Sequence, residues 1–136
     1  MYKSLLLVLI ASVPFSLINF NAYLMGNSPS ITQAIASILF IILWFIYGFF
    51  MGNKKRRYFI KFATLYWMIG ALLCILGYFA NLAIIFIPAA LVFAGPLYGT
   101  RYLLGVPSDI LFINLSIAIT YLFCLIGYFI GRHGKK

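Results

Sequence analysis

Side chains that could carry out acid–base chemistry are scarce in this sequence. Its 136 residues include one acidic residue, Asp109, and one histidine, His133. General acid–base catalysis needs pairs of titratable groups held close together, and these two residues fall at opposite ends of the last predicted helix. The sequence also lacks a metal-ligand cluster, a nucleophile–base pair and a phosphate-binding glycine loop. We therefore predict that the protein is not an enzyme and uses neither a cofactor nor a metal ion.

Asp109 and Arg101 are the charged residues whose position suggests a role in a site. A carboxylate inside a membrane is a functional candidate by default, but Asp109 follows Ser108 at a predicted helix start, where a negative charge favours the helix dipole. Arg101 lies eight positions earlier, across a short Gly/Pro loop. We expect a structural ion pair that closes the outer end of a helix bundle. The alternative is an outer gate, with Arg101 available to a ligand that carries a negative group.

The remaining polar side chains are uncharged and lie in or near apolar stretches. Cys74 and Cys124 are interpreted as small buried residues, because two thiols alone make a poor metal site. Since an unsatisfied amide in hydrocarbon is costly, we expect interhelical hydrogen bonds from the asparagines, which are Asn19, Asn21, Asn81 and Asn114. The alternative is a polar path lined by Asn19, Asn114, Ser116 and Thr120.

The composition is that of a membrane protein. Hydrophobic residues make up 65% of the chain and charged residues 8%, whereas soluble domains are about 45–50% apolar and about 25% charged. Residues 4–53 form a run of 50 without a charge, and residues 62–100 form another of 39. At about 20 residues per spanning helix, the length allows four or five crossings. We predict a single, all-α, multi-pass domain in the cell membrane.

A short loop at residues 53–61 contains half of the ten basic residues. Because Lys and Arg resist translocation, this loop is predicted to be cytoplasmic and to form an inner anchor, made by Lys54, Lys55, Arg56, Arg57 and Lys61. Nucleic-acid binding would need basic residues spread over a solvated face, so we expect none despite the net charge of +9. Weak attraction to anionic inner-leaflet lipid is expected, at about 1 kcal/mol per basic residue.

Apolar runs predict spanning helices at residues 4–24, 31–51, 62–80 and 110–130. The first run resembles the start of a signal peptide, but it continues without a small-residue cleavage site, so we expect a retained helix. Ser28 is predicted to cap the second helix, with Pro29 at its first position.

Residues 81–107 are ambiguous. The apolar run 82–94 has only 13 residues and contains Pro88, and runs of this length are more often re-entrant or interfacial than spanning. Four crossings with both termini inside place nine basic residues inside and one outside, whereas five crossings give seven against three. The positive-inside rule therefore favours a four-helix bundle with cytoplasmic termini and a re-entrant or interfacial segment at 81–107. The alternative is five helices, with 82–104 spanning.

Small residues recur at helical spacing, which allows helix backbones to approach closely in lipid. The predicted helix-packing residues are Gly48, Gly52, Gly70, Cys74, Gly77, Ser116, Thr120, Cys124, Gly127 and Gly131. Two of these stripes end in the same G-x-x-x-G pattern directly before basic residues, where an inward-running helix should reach the cytoplasm. An internal duplication into two parallel helix pairs is the alternative to simple packing.

These patterns predict a protein that acts by contact and not by catalysis. The first hypothesis is an accessory or stabilising subunit, or an immunity-type factor, that uses helix–helix contacts with another membrane protein or a second copy. The alternative is a small transporter or pore with an outer gate near Arg101 and Asp109. The first helix contains Asn19 but no ionisable residue between positions 4 and 24 apart from Tyr23, which argues against proton-coupled transport.

Overall fold

The computed structural model describes residues 2–106 and 108–134, and this part of the chain is helical with no strand. It contains four long helices: α1 (Tyr2–Met25), α2 (Ile31–Asn53), α3 (Tyr58–Phe79) and the last helix, α6 (Asp109–His133). Between α3 and α6 lies a broken segment, Ala83–Leu104. It consists of α4 (Ala83–Ala89), a π-helical turn (Ala90–Ala94), a 3-10 helix (Gly95–Thr100) and α5 (Arg101–Leu104).

Five helices in the described residues are long and apolar enough to cross a membrane, if the broken segment is counted as one. The predicted all-helical class is confirmed for this part of the chain, and the apolar helices are compatible with a multi-pass membrane protein. The broken segment has 22 residues because the helical backbone continues past Pro88 and through the π and 3-10 turns. The predicted alternative of five crossings is compatible with this helix count, which does not by itself select four.

Helices α2 and α6 pack side by side and run parallel. Gly48 of α2 lies against the backbone of Cys124, and Gly52, one turn later, lies against Tyr128. Residue numbers therefore increase in the same direction along both helices. The C-terminal ends of both helices lie at the same end of the molecule, which we call the basic end because it includes the 54–57 loop and Arg132.

Helices α1 and α3 run antiparallel to this pair. The Phe15 ring of α1 lies 5.3 Å from the Phe40 ring of α2, and the Asn19 side chain donates a hydrogen bond to Ser37. Residue numbers therefore increase along α1 in the direction in which they decrease along α2. In α3, Phe59 stacks on Tyr128 and the Thr64 hydroxyl lies 2.8 Å from that of Tyr121. Consequently α3 ends, and α6 begins, at the end opposite the basic loop, which we call the Arg101 end.

The broken segment starts and finishes at the Arg101 end. Phe86 lies against Gly77, near the last turn of α3, and Phe93 lies against Gly70, two turns further from that end. The chain then returns along α1 and α2 to the Arg101–Asp109 ion pair at the start of α6. Every residue of the returning 3-10 helix is buried.

An aromatic cluster surrounds the deepest part of the broken segment. It consists of Trp44, Tyr66, Trp67 and Phe93, whose neighbouring rings lie 4.9–5.3 Å apart. All four side chains are buried. We call this group the central aromatic cluster; it joins α2 and α3 to Phe93 of the broken segment.

The prediction that Ser28 caps α2 is wrong, because the cap is Ser30. The backbone N–H of Gln33 donates to the Ser30 hydroxyl at 3.4 Å, and the backbone N–H of Ser30 donates to Gln33 Oε1 at 2.8 Å. This capping box needs Glu or Gln three residues after the cap. Ser30 meets that spacing, whereas the residue three positions after Ser28 is Ile31. Pro29 accordingly precedes the helix.

Candidate functional site

The glycines of α2 and α6 pack against each other's helix within the same chain. A Cβ atom at any of them would lie 2.0–2.2 Å from a backbone oxygen of the facing helix. The glycines are Gly48, Gly52, Gly127 and Gly131. The predicted packing residues of these two stripes therefore pack against each other within one chain. Each glycine contacts the backbone of the facing helix and is not exposed on the molecular surface.

The predicted stripe of α3 faces the broken segment. A Cβ at Gly70 would lie 2.3 Å from the Phe93 ring, and one at Gly77 would lie 2.8 Å from the backbone of Phe86. Cys74, between them on the same face, is fully buried. The small residues of α3 thus provide the groove in which α4 lies.

The predicted stripe of α6 continues toward the Arg101 end. Cys124, Thr120 and Ser116 are buried. Thr120 donates to the Ser116 carbonyl of its own helix at 2.8 Å, while the Ser116 hydroxyl lies 3.3 Å from that of Thr100 in the broken segment. Ser116 therefore links α6 to the returning 3-10 helix.

Arg101 and Asp109 form an ion pair, with 2.6 Å between Arg101 Nη1 and Asp109 Oδ1. The arginine side chain is 24% exposed and the aspartate 60%, and the guanidinium carbon lies 5.9 Å from the Phe112 ring centroid. The pair ties α5 to the first turn of α6. Pro107, which the sequence places just before that turn, lies outside the described residues.

A cavity of about 240 Å³ opens beside this ion pair. Three tyrosines, Tyr23, Tyr78 and Tyr98, line it together with Arg101 and Asp109. The Tyr98 hydroxyl donates to the Asn27 carbonyl at 2.7 Å, which fixes that ring. The cavity therefore combines a cation, a carboxylate and aromatic walls at the Arg101 end of the bundle.

Among the described residues, Asn19 has the most deeply buried side-chain amide, with no exposed surface. Its Nδ2 lies 3.1 Å from the Phe15 carbonyl, 3.3 Å from Ser37 Oγ and 3.3 Å from the Pro96 carbonyl. Ser37 Oγ in turn donates to the Pro96 carbonyl at 2.8 Å and accepts from the Gly99 N–H at 3.0 Å. These groups join α1, α2 and the broken segment.

Ser16 extends the same region by one turn of α1, since its hydroxyl donates to the Leu91 carbonyl in the π-helical turn. We call the whole group the buried polar cluster; it comprises Ser16, Asn19, Ser37, Leu91, Pro96 and Gly99. It holds the backbone of the broken segment where the helix changes type and its own hydrogen bonds are incomplete.

Only part of the predicted polar path is assembled. Asn19 is in the buried polar cluster, but Asn114 donates to the Ile110 carbonyl of its own helix at 2.8 Å. Pro96 and Gly99 were not predicted, because they contribute backbone groups that no side-chain pattern reveals. Tyr78 and Tyr98, which line the cavity, were not predicted either, because nothing in their spacing indicates that they meet.

The inner-anchor residues lie at the basic end, and Lys54, Lys55, Arg56, Arg57 and Lys61 are all exposed. Among the described residues, no three His, Cys, Asp or Glu side chains are grouped closely enough to hold a metal ion. Comparison of the chain with protein-family models, curated proteins and solved structures found no match.

Proposed function

We propose that the protein crosses the cell membrane four times, with the broken segment re-entrant and both termini cytoplasmic. The parallel packing of α2 and α6 supports four crossings. Because α3 runs antiparallel to both, it ends on the same side of the bundle as α6 begins, and the segment between them need not cross the membrane. The basic loop, Lys3 and Arg132 share the opposite side. Together with Lys135 and Lys136 in the sequence, nine of the ten basic residues would be cytoplasmic, as the positive-inside rule expects.

We propose further that the protein is a small transporter that binds its solute in the cavity beside Arg101. The supporting observation is the position of this cavity, at the outer end of a helix that is interrupted inside the bundle. Interrupted helices that line a cavity are a recurring way for transporters to build binding sites. The cavity volume of about 240 Å³ is below the usual range for drug-sized ligands and suits a small solute.

The charges suggest the kind of solute. Arg101 would attract a carboxylate or phosphate through charge-assisted hydrogen bonds, while Asp109 would exchange its arginine partner for a cationic group of the same solute. The ion pair would then act as the outer gate. On the cytoplasmic side of the cavity, the central aromatic cluster would block a path through the bundle. The conformation would therefore be open to the outside and closed toward the cytoplasm.

The accessory-subunit hypothesis is the weaker proposal for this fold. It relied on glycine faces that would meet a partner, but Gly48 and Gly127 contact facing backbone within one chain. An accessory role would therefore need a different surface from the one that the sequence suggested.

Uptake by reconstituted vesicles tests the transport proposal. Purified protein in liposomes should take up at least one member of a panel of small anionic and zwitterionic solutes. Arg101→Ala should reduce that uptake at least about tenfold, which corresponds to the loss of one charge-assisted contact. Arg132→Ala, an exposed arginine at the basic end, is the matched control and should retain uptake. Vesicles that exclude the whole panel would contradict the proposal.

A further inference from the structure

An apolar groove runs between α1 and α2. Nine residues line it, three from α1 and six from α2, and all of them are aliphatic or aromatic. Its volume is about 220 Å³. Phe40 and Trp44, at the bottom of the groove, are buried, whereas Leu7 and Phe50 at its edges are more than half exposed. The groove is therefore open along the side of the bundle, where a membrane protein meets lipid.

The rings at the bottom of the groove are held in place from behind. The Phe40 ring packs on Phe15 at 5.3 Å. Trp44 belongs to the central aromatic cluster, and its ring lies 5.0 Å from that of Trp67. On the α1 side, Ala11 presents only a methyl group to the groove. The space therefore exists because a small residue of α1 faces aromatic rings of α2 that their own neighbours fix.

The groove has the length of one lipid leaflet. Phe40 and Phe50 both line it and are ten residues apart on α2, which corresponds to a rise of about 15 Å. The hydrocarbon core of a bilayer is about 30 Å thick, so each leaflet contributes about half of that. An acyl chain of one leaflet therefore matches the groove along its whole length.

Two lysines flank the groove at the basic end. On α2, Lys54 follows Phe50 by four residues, and on α1, Lys3 precedes Leu7 by four residues. Residues four apart share one face of a helix, so each lysine lies one turn beyond a residue of the groove. Both lysines are exposed, and the only acidic residue, Asp109, lies at the opposite end of the bundle. This end of the groove therefore carries positive charge that no carboxylate neutralises.

We propose that the groove binds one anionic phospholipid, with an acyl chain against α2 and its headgroup phosphate held by Lys3 and Lys54. Charge-assisted hydrogen bonds from the two ammonium groups would hold the phosphate. A zwitterionic lipid would place its own cation beside the lysines, and inorganic phosphate would leave the groove empty. A groove of leaflet length next to two lysines therefore selects a lipid with a net negative charge, beyond the unspecific attraction expected of any basic loop.

This lipid site is independent of the proposed transport function. Its lining residues are all different from those of the cavity beside Arg101. Helices α1 and α2 cross the membrane in the four-crossing and in the five-crossing arrangement, and Lys3 and Lys54 lie on the same side in both. Lipid binding can therefore be measured whether or not the protein takes up a solute.

Two lipids that differ only in their headgroup test the site. Native mass spectrometry of the purified full chain should show one bound dioleoyl phosphatidylglycerol, with an affinity at least about tenfold higher than that for dioleoyl phosphatidylcholine. Lys3→Gln and Lys54→Gln should each weaken phosphatidylglycerol binding about fivefold, as expected for one basic residue near a lipid phosphate. Binding of phosphatidylcholine should change little. Inorganic phosphate should not compete, because it cannot fill the groove.

Lys61→Gln is the matched control for the two lysine variants. Lys61 is exposed on α3 and follows the buried Phe59 by two residues, which is about 200° around the helix. Its side chain therefore faces away from the bundle. Lys61→Gln removes the same charge and should leave phosphatidylglycerol binding unchanged.

The acyl-chain part of the site has its own test. Ala11→Phe would fill the groove and should weaken the binding of both lipids at least about tenfold. If this variant does not fold, phosphatidylglycerol with a photoreactive acyl chain should cross-link the wild-type protein within residues 7–11 and 40–50. The proposal is overturned if both lipids bind equally, if inorganic phosphate competes as well as the lipid, if Lys61→Gln acts like Lys54→Gln, or if cross-links spread evenly over α3 and α6.

Discussion

At the scale of single residues, glycine sets the distance between α2 and α6. Each of the four glycines brings its Cα directly against a carbonyl of the facing helix, where a methyl group would overlap backbone atoms. Apolar side chains gain little from association in lipid, so close backbone packing is the main source of helix–helix affinity. The glycines therefore hold the parallel pair on which the orientation of the other helices depends.

A methyl group at this contact should destabilise the protein. A Cβ at Gly127 would lie 2.2 Å from the Phe45 carbonyl, and backbone cannot move aside as a side chain can. We expect Gly127→Ala to lower the free energy of unfolding by about 1–3 kcal/mol, as overpacking usually does, measured by thermal or denaturant unfolding in detergent.

The control for this substitution lies seven residues later. A Cβ at Gly134 would approach nothing closer than the Ile130 carbonyl at 3.4 Å, so Gly134→Ala should change stability by less than about 0.5 kcal/mol. Equal effects of the two substitutions would mean that α2 and α6 are not packed through Gly127.

Residue types predicted some of these positions and not others. Asp109 could be identified because it is the only acidic residue, and the α2 and α6 glycines because their spacing is helical. Ser30 could have been preferred to Ser28, since only Ser30 has Gln three positions later. Pro96 and Gly99 could not be found, because their contribution is a carbonyl and an N–H whose partners are distant in sequence.

At the scale of elements, the structure of the broken segment differs most from what its sequence predicts. Pro88 does not end α4, and Pro96 lies in the first turn of the 3-10 helix, where a missing N–H is tolerated. The helix changes type between Ala90 and Thr100 because its backbone groups find partners on α1 and α2. No local sequence pattern reveals these tertiary contacts. The sequence is therefore compatible with both a re-entrant and a spanning segment.

The deepest contact of this segment is the Phe93 ring. It packs on Tyr66 at 4.9 Å and fills the space over Gly70. Phe93→Ala should cost about 3–5 kcal/mol of stability, as expected for removal of a buried aromatic ring, and should be evident as a lower Tm.

Phe79→Ala provides the comparison for Phe93, because Phe79 is 74% exposed at the end of α3. It should lower stability by no more than about 1 kcal/mol, since little packing is lost. A Phe93→Ala protein as stable as Phe79→Ala would show that Phe93 does not pack against Tyr66 and over Gly70.

At the scale of the whole molecule, charge distinguishes between arrangements that hydropathy leaves equal. Five helices in the part of the chain that the structure describes satisfy the length and hydropathy of a membrane span, and hydropathy alone does not rank them. The distribution of basic residues favoured four crossings, and the parallel packing of α2 and α6 supports the same arrangement. What charge could not predict is the depth of the broken segment, which depends on the groove formed by Gly70, Cys74 and Gly77.

The most direct test of the proposed arrangement is the accessibility of both ends of the broken segment. Single cysteines would replace Leu82 and Leu103, which are 46% and 62% exposed, in a protein whose Cys74 and Cys124 are changed to Ala. Lys55→Cys marks the cytoplasmic side. In intact cells, a membrane-impermeant thiol reagent should label positions 82 and 103 alike, and position 55 only after permeabilisation. Labelling of position 82 from outside and of position 103 only from inside would contradict the re-entrant arrangement and establish a fifth crossing.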